Sequence, residues 1–299
     1  MQWIIFAIIA PALYAVSTYF DKFLISKRVK DPMLLTIITG ITVFLGAFLI
    51  FLFNGFGTIP YWQILMLIGA GIMSEIALIP YYKAMSLDDA SRIIPLFQMV
   101  PVLVLIFSYL FLGEMLSLGQ FGGFVLILTG GFMLSLRELN LKIFKFRPAI
   151  GYVALTALFY AIPAIVFKYV VITQNFWETM AYTFAGTFVG SVLLFWVYIK
   201  RFLVQFKEIS AGTWLVVGSN ELIYFFGNVS RFYAVSLGPI ALVSVIGGTT
   251  PFFVLLFGLV LSLWFPYIVK EDISKSTIGL KILATIFIFL GAWLIGFGG

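Results

Sequence analysis

The chain has 299 residues, of which 63% are apolar and only 10% are charged, and its mean hydropathy is +1.14. Water-soluble domains carry about 25% charged residues, so this composition excludes an ordinary soluble fold. The chain contains no histidine and no cysteine. That absence excludes histidine-ligated haem, zinc sites built from cysteine or histidine, thiol catalysis and disulfides. The net charge is +6, but the basic residues lie in turns between apolar runs, so no nucleic-acid partner is expected.

Apolar runs bounded by charges, proline or glycine follow one another along the whole chain. A helix needs about 20 apolar residues to cross a bilayer. Each run is expected to be helical, because backbone groups that face lipid must be paired within their own segment. The sequence therefore predicts an all-α membrane protein with ten transmembrane helices. In chain order, the predicted spans cover residues 2–21, 33–53, 61–82, 89–112, 116–136, 149–171, 177–199, 211–233, 239–264 and 276–297.

The two halves of the chain resemble each other when one is slid along the other by about 150 residues. Each half holds five predicted helices, and an odd number inserts the second half upside down relative to the first. The sequence thus predicts two inverted-topology five-helix repeats that enclose a site near the middle of the membrane. The aligned pairs include Ala84 to Leu87 with Ala234 to Leu237, Pro101 with Pro251, Tyr14 with Tyr160, and Lys22 with Lys168.

Several of these motifs resemble the EamA-type domain of the drug/metabolite transporter superfamily. In the first half they are Tyr82 to Leu87, a helix carrying Pro101, then Leu112 to Glu114, and a glycine-rich helix through Gly122 and Gly131. The second half repeats the pattern more loosely, through Ala234 to Leu237, Pro251, Glu271, Gly279 and Gly291. The resemblance implies ten helices in two EamA-like repeats, residues 1–148 and 149–299, and transport of small metabolites, often export.

Basic residues are distributed unevenly between the two sets of loops. Of the 18 lysines and arginines, all but Lys168 and Arg231 lie near the loops after the first, third, fifth, seventh and ninth spans. The positive-inside rule places these loops in the cytoplasm, so both termini are predicted to lie outside a cell membrane, plasma or inner. The family resemblance implies cytoplasmic termini for many members, and the sequence departs from that pattern.

Polar side chains within spans are costly and usually face the interior of the bundle. In the eighth span, Glu221, Tyr224, Asn228 and Arg231 follow at i, i+3, i+7 and i+10, along one helix face. The first span carries a similar stripe of Tyr14, Ser17, Thr18 and Asp21. We therefore predict a polar, aromatic-edged cavity as the translocation pathway. Its predicted lining comprises Glu75, Glu221, Tyr14, Gln98, Tyr182, Asn220, Tyr224 and Asn228.

Glu75 and Glu221 are also the candidate proton sites, because a carboxyl within the membrane can exchange protons. The alternative is a packing role, in which these carboxyls form interhelical pairs or bond a free backbone carbonyl. In the ninth span, two glycines and a proline within five residues weaken the helix, so a hinge is predicted at Gly247, Gly248 and Pro251.

Four further charged residues are given structural roles. Lys22 and Lys168 match the basic residue that ends the first helix of each repeat in the family, and they are expected to snorkel to the membrane interface. Glu114 and Glu271 fall in turns, where they are expected to cap the helices that follow.

The sequence thus favours a secondary transporter that moves a small organic metabolite by alternating access, either as a proton-coupled exporter or by exchange without protons. A flippase for a lipid-linked substrate and a non-transporting receptor or assembly subunit remain as alternatives. An enzyme is not expected, since HExxH, a nucleophile elbow and a P-loop are all absent. The expected partners are the solute and the lipid bilayer, with no cofactor and no metal, while monomer and homodimer stay equally open.

Overall fold

The computed structural model describes residues 2–29, 31–88, 93–136, 147–264 and 275–298. All regular secondary structure in these ranges is helical. Within them, nine helical segments have the length and apolar composition needed to cross a membrane. The all-α membrane fold predicted from the sequence is therefore confirmed.

The first half of the chain forms five spans, of which the third and fourth are interrupted. The fourth span consists of a 3-10 segment, Ile94–Gln98, then α5, and then a π-helical segment, Ser108–Leu112. Helices α3 and α4 together form the third span. The helices are α1 Gln2–Lys27, α2 Pro32–Asn54, α3 Tyr61–Ile76, α4 Leu78–Leu87, α5 Met99–Phe107 and α6 Leu118–Ser135.

The second half also forms five spans, and its fourth span is again interrupted. Helices α10 and α11 make up that span, the ninth of the chain, and residues 248 and 249 separate them. The seventh span, α8, has 33 residues and continues well beyond the predicted end at residue 199. The helices are α7 Pro148–Val171, α8 Phe176–Glu208, α9 Ala211–Leu237, α10 Ile240–Gly247, α11 Thr250–Trp264 and α12 Lys275–Phe297.

Side chains at the helix starts explain where several spans begin. The Asp31 carboxylate accepts a hydrogen bond from the Met33 N–H at 3.0 Å, and Pro32 occupies the first helical position of α2. Ser117 and Gln120 form a capping box at the start of α6. These local contacts satisfy backbone N–H groups that have no partner within the helix.

Helix α9 differs from the other spans in composition. It has 27 residues but is not among the nine apolar segments, because Asn220, Glu221, Asn228 and Arg231 lower its hydropathy. A helix with this polar face needs protein or a water-filled cavity beside that face. The structure meets this need by packing α9 along α1, with the polar face turned into the bundle.

Close helix pairs join the two halves of the chain. Helix α1 packs on α9, α2 and α3 pack on α8, and α6 packs on α12. The α6–α12 contact depends on glycine, since a Cβ added at Gly123 would lie 2.6 Å from the Gly291 carbonyl oxygen. The reverse substitution, at Gly291, would meet the Gly123 oxygen at 2.7 Å. Small residues thus let these two backbones touch, as is common between membrane helices.

Polar contacts between loops show which helix ends share a face. On one face, here called the basic face, Arg147 forms an ion pair with Asp88. On the other, the opposite face, the Ser117 hydroxyl donates to the Gly298 oxygen at 2.7 Å. Trp3 lies against Gly238 on that opposite face.

The direction of the first helix in each half follows from these contacts. Helix α1 begins near Trp3, at the opposite face, whereas α7 begins directly after Arg147, at the basic face. The first helices of the two halves therefore run in opposite directions, as an inverted-topology arrangement requires.

Candidate translocation site

A cavity of about 540 Å³ lies between the two halves, a volume typical of sites for small molecules. Helices α1 to α5 and α7 to α10 all contribute residues to it. Apolar residues such as Val104 and Phe184 form part of the wall, and the rest is polar or aromatic. Those polar and aromatic lining residues include Tyr14, Ser17, Asp21, Thr36, Thr39, Glu75, Tyr82, Tyr160, Thr183, Thr187, Asn220, Glu221, Tyr224, Asn228 and Arg231.

Six of the eight residues predicted from the sequence to line the pathway lie on this cavity. They are Glu75, Glu221, Tyr14, Asn220, Tyr224 and Asn228. Gln98 and Tyr182 lie elsewhere. The Gln98 side-chain N–H donates to the Gly248 carbonyl oxygen at 3.1 Å, and the Tyr182 hydroxyl donates to the Phe56 carbonyl oxygen at 2.7 Å. These two side chains connect elements of the fold and are not part of the cavity lining.

Glu221 is a cavity carboxyl with a buried oxygen that has no partner among the described residues. Its side chain is buried, with 4% of the residue exposed. Oε1 accepts a hydrogen bond from the Thr39 hydroxyl of α2 at 2.8 Å. Oε2 is buried and has no hydrogen-bond partner among the described residues. A buried acceptor without a partner carries a desolvation cost, and in native proteins it indicates a function or a ligand.

Glu75 reaches the cavity from α3. Its Oε1 accepts a hydrogen bond from the Ser191 hydroxyl of α8 at 2.7 Å. The residue is buried and lies directly over Gly190, where an added Cβ would meet the Glu75 Cβ at 2.7 Å. Glu75 therefore has both an interhelical bond and a position on the cavity wall. The sequence did not reveal Ser191, because a single serine in an apolar helix more often bonds its own backbone.

Hydrogen bonds between α1 and α9 organise one wall of the cavity. The Tyr14 hydroxyl donates to Asn228 Oδ1 at 2.9 Å, and the Ser17 hydroxyl donates to Asn220 Oδ1 at 2.7 Å. Asn220 Nδ2 in turn donates to Asp21 Oδ1 at 2.7 Å. The helical spacing of both stripes made this wall predictable, and Asp21 belongs to the polar stripe predicted for the first span.

The buried lysine of α7 forms a second polar centre, at the opposite face. Lys168 Nζ donates to the carbonyl oxygens of Val235 and Gly238, both at 2.8 Å. It also lies 3.7 Å from Glu114 Oε1. Glu114 Oε2 accepts a hydrogen bond from the Ile240 N–H at 3.0 Å. We call these five residues the closed-end cluster.

The closed-end cluster corrects two expectations about charged residues. Lys168 does not snorkel to the interface, because it is only 7% exposed and bonds the C-terminal carbonyls of α9. Glu114 does not cap the helix that follows it. It caps α10, in the other half, while Ser117 caps α6. Lys22 is exposed, as expected, and Glu271 lies outside the described residues.

Burial dominates the electrostatics of Glu114, which lies in a turn outside the spans. Removal from water raises the pKa of its carboxyl above the ordinary value of 4.5. The Lys168 ammonium and the Ile240 N–H lower the pKa of the Glu114 carboxyl, but their effect is smaller than that of burial.

The interruptions of the fourth and ninth spans meet each other. The 3-10 segment of the fourth span ends at Gln98, and the ninth span breaks after Gly247. The Gln98 bond to the Gly248 oxygen joins positions 150 residues apart, which are aligned by the shift that relates the halves. The break coincides with Gly247 and Gly248 of the predicted hinge, and Pro251 lies in the first turn of α11. Movement at this point remains a prediction.

The cavity differs in exposure between its ends. Towards the basic face its lining includes Ile25, which is 45% exposed. Towards the opposite face it ends at Val235 and at Ile240, which is 1% exposed. Both of these residues belong to the closed-end cluster. The lining is therefore more exposed at its end near the basic face, and buried residues close its other end.

Residues 1–136 match the EamA-like transporter family. The first half of the chain is thus similar to this family. A protein from Sinorhizobium sp, named "Uncharacterized transporter in cobO 3'region", is 28% identical over 141 residues, which is 45% of this chain and 96% of that protein. The family resemblance predicted from the sequence is confirmed, and these matches support a multi-pass membrane transporter.

A solved structure shares the whole fold of the chain. It is described only as "Crystal structure of protein", and it superposes with a TM-score of 0.69 at 19% sequence identity. The match covers 98% of this chain and 94% of that chain. The arrangement of helices from both halves of the chain therefore recurs in a known structure.

Proposed function

We propose that this EamA-like protein is a secondary transporter that exports a small organic metabolite by alternating access. The observation that carries the proposal is the central cavity, whose lining is partly exposed at one end and buried at the other. An alternating-access transporter needs such a site between two halves that can tilt against each other. The proposal takes residues 1–148 and 149–299 as those halves.

The closed-end cluster is the proposed gate at the opposite face. Lys168 joins α7 to the end of α9, and Glu114 joins the turn after the fourth span to the start of α10. Opening the cavity at this face requires these contacts to separate. The interruptions near Gln98 and Gly248 lie between the halves and provide a place where the fourth and ninth spans can bend.

The direction of transport follows from the charge distribution. By sequence, nearly all lysines and arginines belong to the loops after the odd-numbered spans, and Arg147 and Asp88 of these loops mark the basic face, so we assign this face to the cytoplasm. The cavity then loads from the cytoplasm, and release at the opposite face constitutes export. On this assignment both chain termini lie outside a plasma or inner membrane.

Proton coupling through Glu221 and Glu75 is the finer part of the proposal. Both carboxyls are buried beside the cavity, where protonation would change the charge that a solute meets. The titratable and charged groups that share the lining with them are Asp21, Tyr14, Tyr82, Tyr160, Tyr224 and Arg231.

Flux through proteoliposomes tests the proposal. The purified full chain is reconstituted and supplied with radiolabelled amino acids, amines, nucleosides and sugars, with and without an imposed pH gradient. We expect saturable flux of at least one class, accelerated by the gradient. Glu221→Gln and Glu75→Gln should abolish the acceleration, whereas Glu178→Gln, a carboxyl outside the cavity lining, should preserve it.

Three results would contradict parts of the proposal. The absence of flux for every class would favour a receptor or assembly subunit, and transfer of a fluorescent lipid between leaflets would favour a flippase. Gradient-driven flux that is unchanged in Glu221→Gln and Glu75→Gln would remove proton coupling while leaving transport intact.

Orientation and closure can be tested separately, because the chain has no native cysteine. Ile25→Cys and Val235→Cys place single thiols at the two ends of the cavity lining. A membrane-impermeant maleimide should label Ile25→Cys several-fold faster than Val235→Cys, and only from the cytoplasmic side of sealed vesicles. Faster labelling of Ile25→Cys from outside the cell would reverse the assigned orientation.

A further inference from the structure

We propose that the cavity selects organic cations and that Glu221 is the carboxyl that receives the cationic group. This inference rests on the transport function proposed above and adds a substrate class to it. Three independent features of the lining support it: the balance of charges, the unpartnered buried oxygen of Glu221, and the tyrosine rings that line the same cavity.

The charges on the described lining are predominantly acidic. Asp21, Glu75 and Glu221 contribute three carboxyl groups, and Arg231 contributes the one guanidinium. No lysine belongs to that described lining. A cavity with this balance attracts a positive solute and disfavours a negative one, because the low dielectric of a buried site strengthens both effects.

The carboxyl oxygens are not equivalent. All three carboxyls accept a hydrogen bond through one oxygen: Asp21 from Asn220, Glu75 from Ser191 and Glu221 from Thr39. Oε2 of Glu221 has no partner within the described part of the chain, although the residue is buried and lines the cavity. An ammonium group supplies several N–H donors, so it can satisfy this oxygen and neutralise its charge together.

Four tyrosines surround the same space. Tyr14 and Tyr224 lie with their ring centroids 5.4 Å apart, and Tyr82 and Tyr160 line the cavity from α4 and α7. Aromatic faces attract cations through the electrons of the ring, most strongly where water is excluded. The Tyr14 hydroxyl is already bonded to Asn228, so the ring is what Tyr14 offers to a solute.

Arg231 lies too far from Glu221 to make the cavity a site for compact zwitterions. The two residues are ten positions apart on α9, about 15 Å along the helix axis at 1.5 Å per residue. Arg231 also lies over the Phe232 ring, 4.4 Å from its centroid. An α-amino acid, with its two charges close together, cannot contact both residues at once. A cation is therefore expected to bind more tightly than a zwitterion of similar size.

Calorimetric titration of the purified full chain tests the inference with four related probes. They are 2-phenylethylammonium, neutral 2-phenylethanol, phenylalanine as a zwitterion and phenylacetate as an anion. We expect the ammonium probe to bind about tenfold or more tightly than any of the other three. Glu221→Gln should weaken the ammonium probe about tenfold and leave 2-phenylethanol unchanged, while Glu178→Gln should change neither.

Further variants guard against misfolding and separate the two proposals. If Glu221→Gln does not fold, Glu75→Gln should still reduce the preference for the cation by a smaller factor. Cation selectivity would be overturned if the ammonium and alcohol probes bound equally, or if phenylalanine or phenylacetate bound most tightly. Neither result would contradict the proposed transport, because the flux assay tests that separately. Tight binding of the ammonium probe without flux of any solute would support the cation site and contradict transport.

Discussion

Lys168 and Glu221 are both buried ionisable residues in membrane spans, and they differ in how completely their polar atoms are partnered. Lys168 has two carbonyl oxygens at 2.8 Å and a carboxylate at 3.7 Å. Glu221 has one hydroxyl at 2.8 Å and a second oxygen without a partner among the described residues. The first contacts Val235 at the closed end of the cavity, and the second lines the cavity wall.

This difference separates a charge that holds elements together from a charge that is available to a ligand. A partnered buried charge is strongly destabilising to remove, because its partners then lose their compensation. A charge with an unpartnered atom contributes less to stability and retains the capacity to bind. Composition alone does not reveal the distinction, because it depends on which groups from other helices and turns each side chain meets in the fold.

The largest effect is expected from Lys168→Met, which keeps the length of the side chain and removes its charge. Glu114 and the carbonyls of Val235 and Gly238 would lose their shared donor. The free energy of unfolding should fall by about 3 kcal/mol. Titration with sodium dodecyl sulfate in mixed micelles, followed by tryptophan fluorescence, measures the change.

Lys22→Met provides the matched control, because Lys22 is the residue aligned with Lys168 and is exposed. We expect its effect to stay within about 0.5 kcal/mol. The double variant Lys168→Met with Glu114→Gln should recover part of the loss, because a neutral glutamine needs no cation beside it. Equal losses for Lys168→Met and Lys22→Met would show that the closed-end cluster has no special role in stability.

The second expected effect is smaller and concerns Glu221→Gln. Its unfolding free energy should lie within about 1 kcal/mol of the parent value, since one of the two carboxylate oxygens has no partner to lose. The same micelle titration measures it, and the flux and binding assays described above report its function. A loss as large as that of Lys168→Met would instead assign Glu221 a mainly structural role.

Much of the fold was predictable because lipid imposes length and polarity on each span. The C-terminal end of α8 was not predictable in this way. The basic residues Lys200 and Arg201 predicted a loop, whereas the helix continues to Glu208. Phe202 explains the continuation: it is buried against the cluster around Leu34 and Ile37 and stabilises the extra turns. A charge pattern marks where a span leaves the membrane, and tertiary packing decides where its helix ends.

The site was predictable to the extent that helical periodicity reveals it. Spacing alone brought Glu221, Tyr224 and Asn228 to one face, and the cavity lies on that face. Thr39 was not apparent, because one threonine in an apolar helix carries no pattern. The partners of Lys168 were inaccessible for a different reason, since main-chain carbonyls and a turn from the other half have no local signature in the sequence.

The smallest expected effect is the pH dependence contributed by Glu114. Burial raises the pKa of this carboxyl in the folded state above its ordinary value of 4.5, so the folded protein retains a proton that the unfolded chain has released. Stability rises with pH only where the unfolded state binds more protons, and here it binds fewer. The contribution of Glu114 to the unfolding free energy should therefore be greatest below the ordinary pKa and should decline as pH rises through the folded pKa.

A comparison of the parent with Glu114→Gln isolates this contribution from the other titrating groups. The difference in unfolding free energy, parent minus variant, should be highest at about pH 4 and should decrease towards about pH 8. The same micelle titration measures it. The opposite slope would mean that the attraction of Lys168 outweighs burial at the closed end. In that case the closed-end cluster would be held mainly by its ion pair, and the bonds from Lys168 to the two carbonyls would be secondary to that pair.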